Sequence, residues 1–132
     1  MGSGLRLLLD THALTWWLAG DDALSHRAQE AIAQEDNGIV VSAASAMEVA
    51  TKFRIGKLPN AALLARDFEA IVADQGFDEL PITIHHARLA GEMKIEHRDP
   101  FDRLLIAQAQ AEDMVLVSNE TLFDTFAVNR LW

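Results

Sequence analysis

The sequence predicts an α/β domain whose central sheet is parallel and has four to five strands. Three observations carry this. Short apolar runs recur along the chain, stretches with helical spacing fill the gaps between them, and half of the 132 residues are hydrophobic. Strands that alternate with helices form a parallel sheet with crossover connections, and a chain of this length supplies one core rather than two. The expectation is one domain over residues 1–132, with the Gly-Ser-Gly after Met1 a cloning remnant of no structural role.

The first strand is "LRLLLD", ending at Asp10, followed by a short helix over His12–Ala19. Ser25–Gln34 forms the next helix, with Ala28, Ala31 and Ile32 on one face. "GIVVS" (Gly38–Ser42) is the second strand, and Ala43–Ile55 the helix after it, stopped by Gly56 and then Pro59. Ala61–Gln75 repeats Leu64, Phe68, Ile71 and Val72 at helical spacing. "ELPIT" (Glu79–Thr83) is a weaker third strand. Helices over His85–Ile95 and Phe101–Glu112 precede a strong fourth strand, "MVLVS" (Met114–Ser118), and "AVNRLW" supplies a short fifth.

Composition excludes several classes. There is no cysteine, hence no disulfide framework, thiolate zinc site or cysteine nucleophile. No apolar run approaches the roughly 20 residues of a membrane helix, and the N-terminus lacks the length and cleavage site of a secretory signal; a reducing cytoplasm is the expected location. Twenty acidic residues against eleven lysines and arginines give a net charge of −9. Alone, this opposes a simple phosphate-binding surface, yet it equally describes a chain that gathers carboxylates for a divalent ion.

Four acids fall where an open parallel sheet binds its ligands, beyond the carboxyl ends of the strands. Asp10 ends the first strand, and Glu48 lies two turns into the helix after the second. Asp102 opens the helix ahead of the fourth strand, and Glu120 follows that strand. Asp10 serves equally well as a helix cap or a ligand. In "HRDPFDRLLIAQA", Asp99 is the cap and Pro100 takes the first helical position. Asp102 suits the first turn of a helix, but it shares a stripe with Leu105, Ile106 and Ala109. Glu48 is too deep for a cap, and its plain alternative is a surface pair with Lys52 at i+4, worth about 0.3–0.5 kcal/mol. Glu120, taken alone, is an exposed first-turn acid. As a group, crowded carboxylates repel, a hard divalent cation relieves them, and oxygen-only ligands suit Mg²⁺ or Mn²⁺, a combination used in phosphoryl chemistry. The histidines say less. His85 and His86 are adjacent and point apart on a helix, His12, two residues after Asp10, is either a support for that acid or, more simply, a surface or core residue, and His26 and His97 carry no pattern.

Four segments, "LLLDTHALTWWL", "AASAMEVATKFRIGKL", "HRDPFDRLLIAQA" and "LVSNETLFDTFAVNRLW", occur in the order of the PIN-domain family. The resemblance spans about Leu5 to Trp132 and is nearest to the VapC-type toxins of bacterial toxin–antitoxin pairs. It implies a three-layer α/β/α fold and an Mg²⁺- or Mn²⁺-dependent endoribonuclease that attacks a phosphodiester with activated water and leaves a 5′-phosphate. Asp10, Glu48 and Asp102 match the family's metal-holding acids. Glu120 stands where the family usually has Asp in a Thr-x-Asp pattern, and is one methylene longer. Thr11 and Ser118 would orient ligands or water, and Lys52, Arg54 and Arg103 lie close enough in sequence to meet RNA phosphates. The implied partners are RNA, a small VapB-like antitoxin that covers the acids, and a second copy in a homodimer. Trp16, Trp17 and Leu18 crowd more apolar surface into one early helix than a single face buries.

Two other readings stand beside this one. A haloacid-dehalogenase-type phosphatase also places Asp after its first strand, but it needs a second Asp two residues on, where this chain has His12. A PIN-like binding module with weak or absent catalysis accommodates both the negative charge and Glu120.

Overall fold

The computed structural model describes residues 4–94 and 99–132. The sheet is built from β1 (Arg6–Leu9), β2 (Gly38–Ser42), β3 (Asp78–Leu80), β4 (Val115–Val117) and β5 (Arg130–Leu131). Its order is β3-β2-β1-β4-β5, and every pairing is parallel. The chain runs outward from β1 to β3 and then returns to place β4 on the other side of β1. The strand order therefore reverses between β1 and β4, which is where sheets of this kind open a ligand crevice.

Seven α-helices lie among the described residues: α1 (Thr11–Ala19), α2 (His26–Ala33), α3 (Ala43–Arg54), α4 (Ala62–Arg66), α5 (Phe68–Asp74), α6 (Ile84–Glu92) and α7 (Pro100–Glu112). The two-residue side-chain period of a strand sorts them into layers. Leu7, Leu9, Val41 and Val117 face Ala13, Leu14, Ala28, Ile32, Leu64, Phe68 and Val72 of α1, α2, α4 and α5. Leu8, Val40 and Leu116 point the other way, onto Leu105, Ile106 and Ala109 of α7. The three-layer α/β/α arrangement follows.

Several boundaries differ from the sequence expectation. β3 covers Asp78–Leu80 rather than Glu79–Thr83, because Pro81 has no N–H to continue the ladder. Thr83 instead caps α6, in a reciprocal box with His86. The helix expected over Ala61–Gln75 is three pieces: a 3₁₀ turn at Pro59–Ala61, then α4 and α5, separated at Asp67. Leu64, Phe68 and Val72 remain buried across that break, so periodicity alone does not reveal it. α3 ends where expected, with Gly56 at φ 80°, a conformation glycine adopts without a Cβ penalty. Ile95, the expected end of the helix from His85, and His97 lie outside the described residues. No helix among the described residues is long and apolar enough to cross a membrane.

Candidate metal and phosphodiester site

The strand-order reversal puts Asp10 and Ser118 side by side. The Asp10 amide donates to Val117 O at 3.1 Å, extending the β1–β4 pairing to the first residue beyond the strand. The Asp10 carboxylate caps α1, accepting from the Ala13 amide at 2.7 Å, and the Ser118 hydroxyl lies near enough to favour its charged form. The cap and the ligand readings are thus not exclusive: one oxygen serves the helix while the side chain stays at the crevice. Asp10 is only 7% exposed. Burial pushes its pKa up from 3.8, the Ser118 and Ala13 hydrogen bonds and nearby His12 oppose that, and the Glu48 charge adds to it.

Glu48 comes from the buried side of α3 and is 5% exposed. Its Oε1 accepts from the Thr11 hydroxyl at 2.5 Å, and its Oε2 from Lys52 Nζ at 2.5 Å. Thr11 Oγ1 also lies 3.0 Å from the fully buried Ser45 hydroxyl, one turn before Glu48 on α3. The i+4 pair with Lys52 therefore exists, but it is largely buried rather than a solvated surface pair. The lysine charge is held up chiefly by its Glu48 hydrogen bond, against burial, and by the charges of Glu48, Asp99 and Asp102. α3 packs against α7, so Lys52 feels both Glu48 on its own helix and the two acids at the start of α7.

Asp99 caps α7 as expected, accepting from the amides of Phe101 at 2.9 Å and Asp102 at 3.3 Å. Asp102 is half-buried, and Leu105, Ile106 and Ala109 continue its stripe into the core. The carboxylate sits at the wet end of an otherwise dry face.

The remaining candidates separate. Glu120 is exposed, and its carboxylate caps the 3₁₀ turn Thr121–Thr125 by accepting from the Leu122 amide at 3.3 Å. At the position after β4 it is Ser118, not Glu120, whose side chain reaches Asp10. Arg103 donates to the carbonyls of Ala90 and Met93, tying α7 to the end of α6, a structural task that sequence reasoning missed. Arg54 is exposed at the end of α3. Ser45 was also missed; its signal was a small polar residue three before Glu48 on the same helix face. His85 is exposed and His86 buried, pointing apart as their adjacency requires.

As they stand, no three His, Asp or Glu side chains among the described residues are grouped closely enough to hold one ion. The donor chemistry nonetheless suits a divalent cation. The candidate ligands are all oxygen, two are buried carboxylates that repel each other, and a cationic ammonium is already drawn among them.

A family model for the PIN domain matches residues 7–129. The chain belongs to the PIN-domain family. Among solved structures, this PIN domain is similar to VapBC2 of Rickettsia felis bound to a promoter DNA fragment, at a TM-score of 0.67 and 16% identity over 97% of this chain and 100% of that one. It is also similar to FitAcB of Neisseria gonorrhoeae (TM-score 0.62, 18% identity, 94% and 95% covered). A toxin–antitoxin complex of Klebsiella pneumoniae gives a TM-score of 0.57 at 19% identity, with 87% of each chain covered. At such identities the likeness is one of fold. A comparison with curated proteins gave no match.

Proposed function

We propose that this PIN domain is a divalent-metal-dependent endoribonuclease and the toxin of a bacterial type II toxin–antitoxin pair. The observation that carries the reading is the pair of buried acids at the strand-order reversal. Asp10 and Glu48 lie buried at the carboxyl-end side of the sheet, Glu48 held by the Thr11 hydroxyl and Asp10 with the Ser118 hydroxyl beside it. Structural elements rarely invest two buried, mutually repelling carboxylates without a cation to receive.

Asp10, Glu48 and Asp102 would hold Mg²⁺ or Mn²⁺, and Glu120 would contribute at most through water. The bound ion supplies positive charge and water activation against a phosphodiester. The chain's own share is positioning. The Ala13 amide fixes the Asp10 carboxylate beside the Ser118 hydroxyl, while Thr11, steadied by Ser45, fixes Glu48. Carboxylates pre-oriented in this way need little reorganisation when the ion arrives.

Resemblance to VapBC and toxin–antitoxin complexes supports an antitoxin partner. Its docking place would be an apolar groove of about 620 Å³. Trp16, Leu18, Leu58 and the exposed Leu63 line it. Both early tryptophans are half-buried against the core. Trp17 donates to Gln75 at 2.9 Å and leans on Phe77, and Trp16 stacks on His12. The surface left for a partner is therefore mainly Leu63 and one side of Trp16. Homodimerisation is carried from the family.

The test is cleavage of a total-RNA preparation by the purified chain, with Mn²⁺ and with EDTA, beside Asp10→Asn. Cleavage that needs both Mn²⁺ and Asp10 is expected. Equal cleavage by parent and variant would remove the assignment. The Lys52–Glu48 pair favours a second reading, a charge-balanced binding module that takes no metal. That reading expects no thermal stabilisation by Mn²⁺ or Mg²⁺.

A further inference from the structure

Glu48 has no idle oxygen in this structure. Oε1 is occupied by Thr11 and Oε2 by Lys52, and the glutamate is buried while Lys52 is about one-third exposed. The two partners differ in what they can do. Thr11 is buried and braced by Ser45, so it has nowhere to go. Lys52 hangs from a flexible four-carbon stem, its side chain is about one-third exposed, and an ammonium regains its hydration readily.

We propose that Lys52 is the resting counter-ion of the acid site, holding Glu48 and facing Asp99 and Asp102, and that a divalent ion binds by displacing it. This rests on the proposed metal-dependent function. It adds a residue that sets how much free metal the protein needs. While the lysine stays, it lowers the repulsion among the acids and lets the domain fold without metal. The same positive charge opposes an incoming cation. When the ion binds, the ammonium leaves Glu48 Oε2 and turns toward the open side of the crevice. There it adds a positive charge to the rim of a strongly acidic protein.

The decisive measurement is Mn²⁺ affinity, read by calorimetry and by the shift in melting temperature, for the parent, Lys52→Gln and Lys52→Arg. Gln keeps a hydrogen-bond donor toward Glu48 without the charge, and Arg keeps the charge. In EDTA, Lys52→Gln should melt below the parent. Its Mn²⁺ affinity should be tighter, on the order of tenfold, while Lys52→Arg should stay near the parent. Equal affinities in parent and Lys52→Gln would overturn the counter-ion role and leave the metal site standing. Absence of Mn²⁺ binding in all three proteins would instead overturn the metal-dependent function itself. Should Lys52→Gln fail to fold, the parent alone decides. With lysine-labelled protein, saturating Mg²⁺ should move the Lys52 Nζ resonance from its ion-paired to its solvated position. A resonance that does not move would reject displacement.

Discussion

The Ser118 hydroxyl, one residue past β4, stands against the carboxylate of Asp10, one residue past β1. Together with the Asp10 amide bond to Val117 O, this contact joins the two strand ends where the strand order reverses. It favours the ionised form of Asp10 against the burial that raises its pKa. Ser118 Oγ also accepts from the Glu120 amide at 3.0 Å. Ser118→Ala should therefore raise the Asp10 pKa further and cost about 1–2 kcal/mol of stability. The metal-dependent activity should shift its acidic limb to higher pH. Urea denaturation and a pH–rate profile check both, and an unmoved acidic limb would mean that the hydroxyl does not act on Asp10.

Asp10→Asn gives a prediction with a definite sign. The folded pKa of Asp10 lies above its unfolded value of 3.8. From pH 3.8 up to the folded pKa, the native state binds more protons than the unfolded state, so stability falls as pH rises through that window. Asn can keep the cap to the Ala13 amide through Oδ1, but it carries no charge. In EDTA the variant should be more stable than the parent at neutral pH, and the difference should shrink as pH approaches 4. Added Mn²⁺ should reverse the order by stabilising only the parent. Denaturation curves from pH 4 to 8 test this. A variant less stable than the parent across the whole range would show that the carboxylate is a structural asset rather than a functional cost.

How much of this could be read from the chain depends on what kind of signal each residue left. The placement of Asp10 and Glu48 was legible because strand ends and helix positions follow from apolar runs, and an acid at such a place conflicts with the burial around it. Asp102 was legible for the same reason, as a charge in line with Leu105, Ile106 and Ala109. Glu120 was not. Its fate was decided by a 3₁₀ turn that no hydrophobic period marks, and the turn took its carboxylate as a cap. For Arg103 sequence gives proximity to the acids but not direction, and two of its guanidinium donors bond the carbonyls of Ala90 and Met93. The break at Asp67 was hidden because Leu64, Phe68 and Val72 keep the same burial on either side of it.

Thr11 offers a nearly isosteric test of positioning. Thr11→Val removes the donor to Glu48 and leaves a buried carboxylate oxygen unpaired, for a loss of roughly 1–3 kcal/mol. Thr11→Ser retains the hydroxyl and should recover most of it. Mn²⁺ affinity should follow the same order, with Val weakest. If Val binds Mn²⁺ as tightly as the parent, Glu48 does not depend on Thr11 for its orientation.

On the opposite face of the sheet, the buried polar side chains form a chain that the catalytic reading does not use. His86 Nε2 pairs with Glu112 Oε2 at 2.9 Å, and Nδ1 accepts from the Thr83 amide at 3.1 Å. With Nδ1 accepting, Nε2 is the ring nitrogen that donates, toward Glu112. Gln108, fully buried, donates to Pro81 O and to His86 Nδ1, and its Oε1 takes the Ser42 hydroxyl at 2.5 Å. Ser42 in turn caps α3 through the Ala44 amide. This row of bonds thus joins α6, α7 and the N-terminus of the helix that carries Glu48. Gln108→Leu keeps the bulk but strands Ser42 and Pro81 O, and should cost roughly 1–3 kcal/mol for each group left unpaired. Gln108→Glu places a charge in a dry site and should cost more. Because α3 remains packed through Ala44 and Val49, the expected loss is in global stability, with Mn²⁺ affinity per folded molecule nearly unchanged. Calorimetric titration of Gln108→Leu, beside its denaturation curve, separates the two quantities. An affinity that drops with stability would mean that the network also sets where α3 holds Glu48, making it part of the site rather than its foundation.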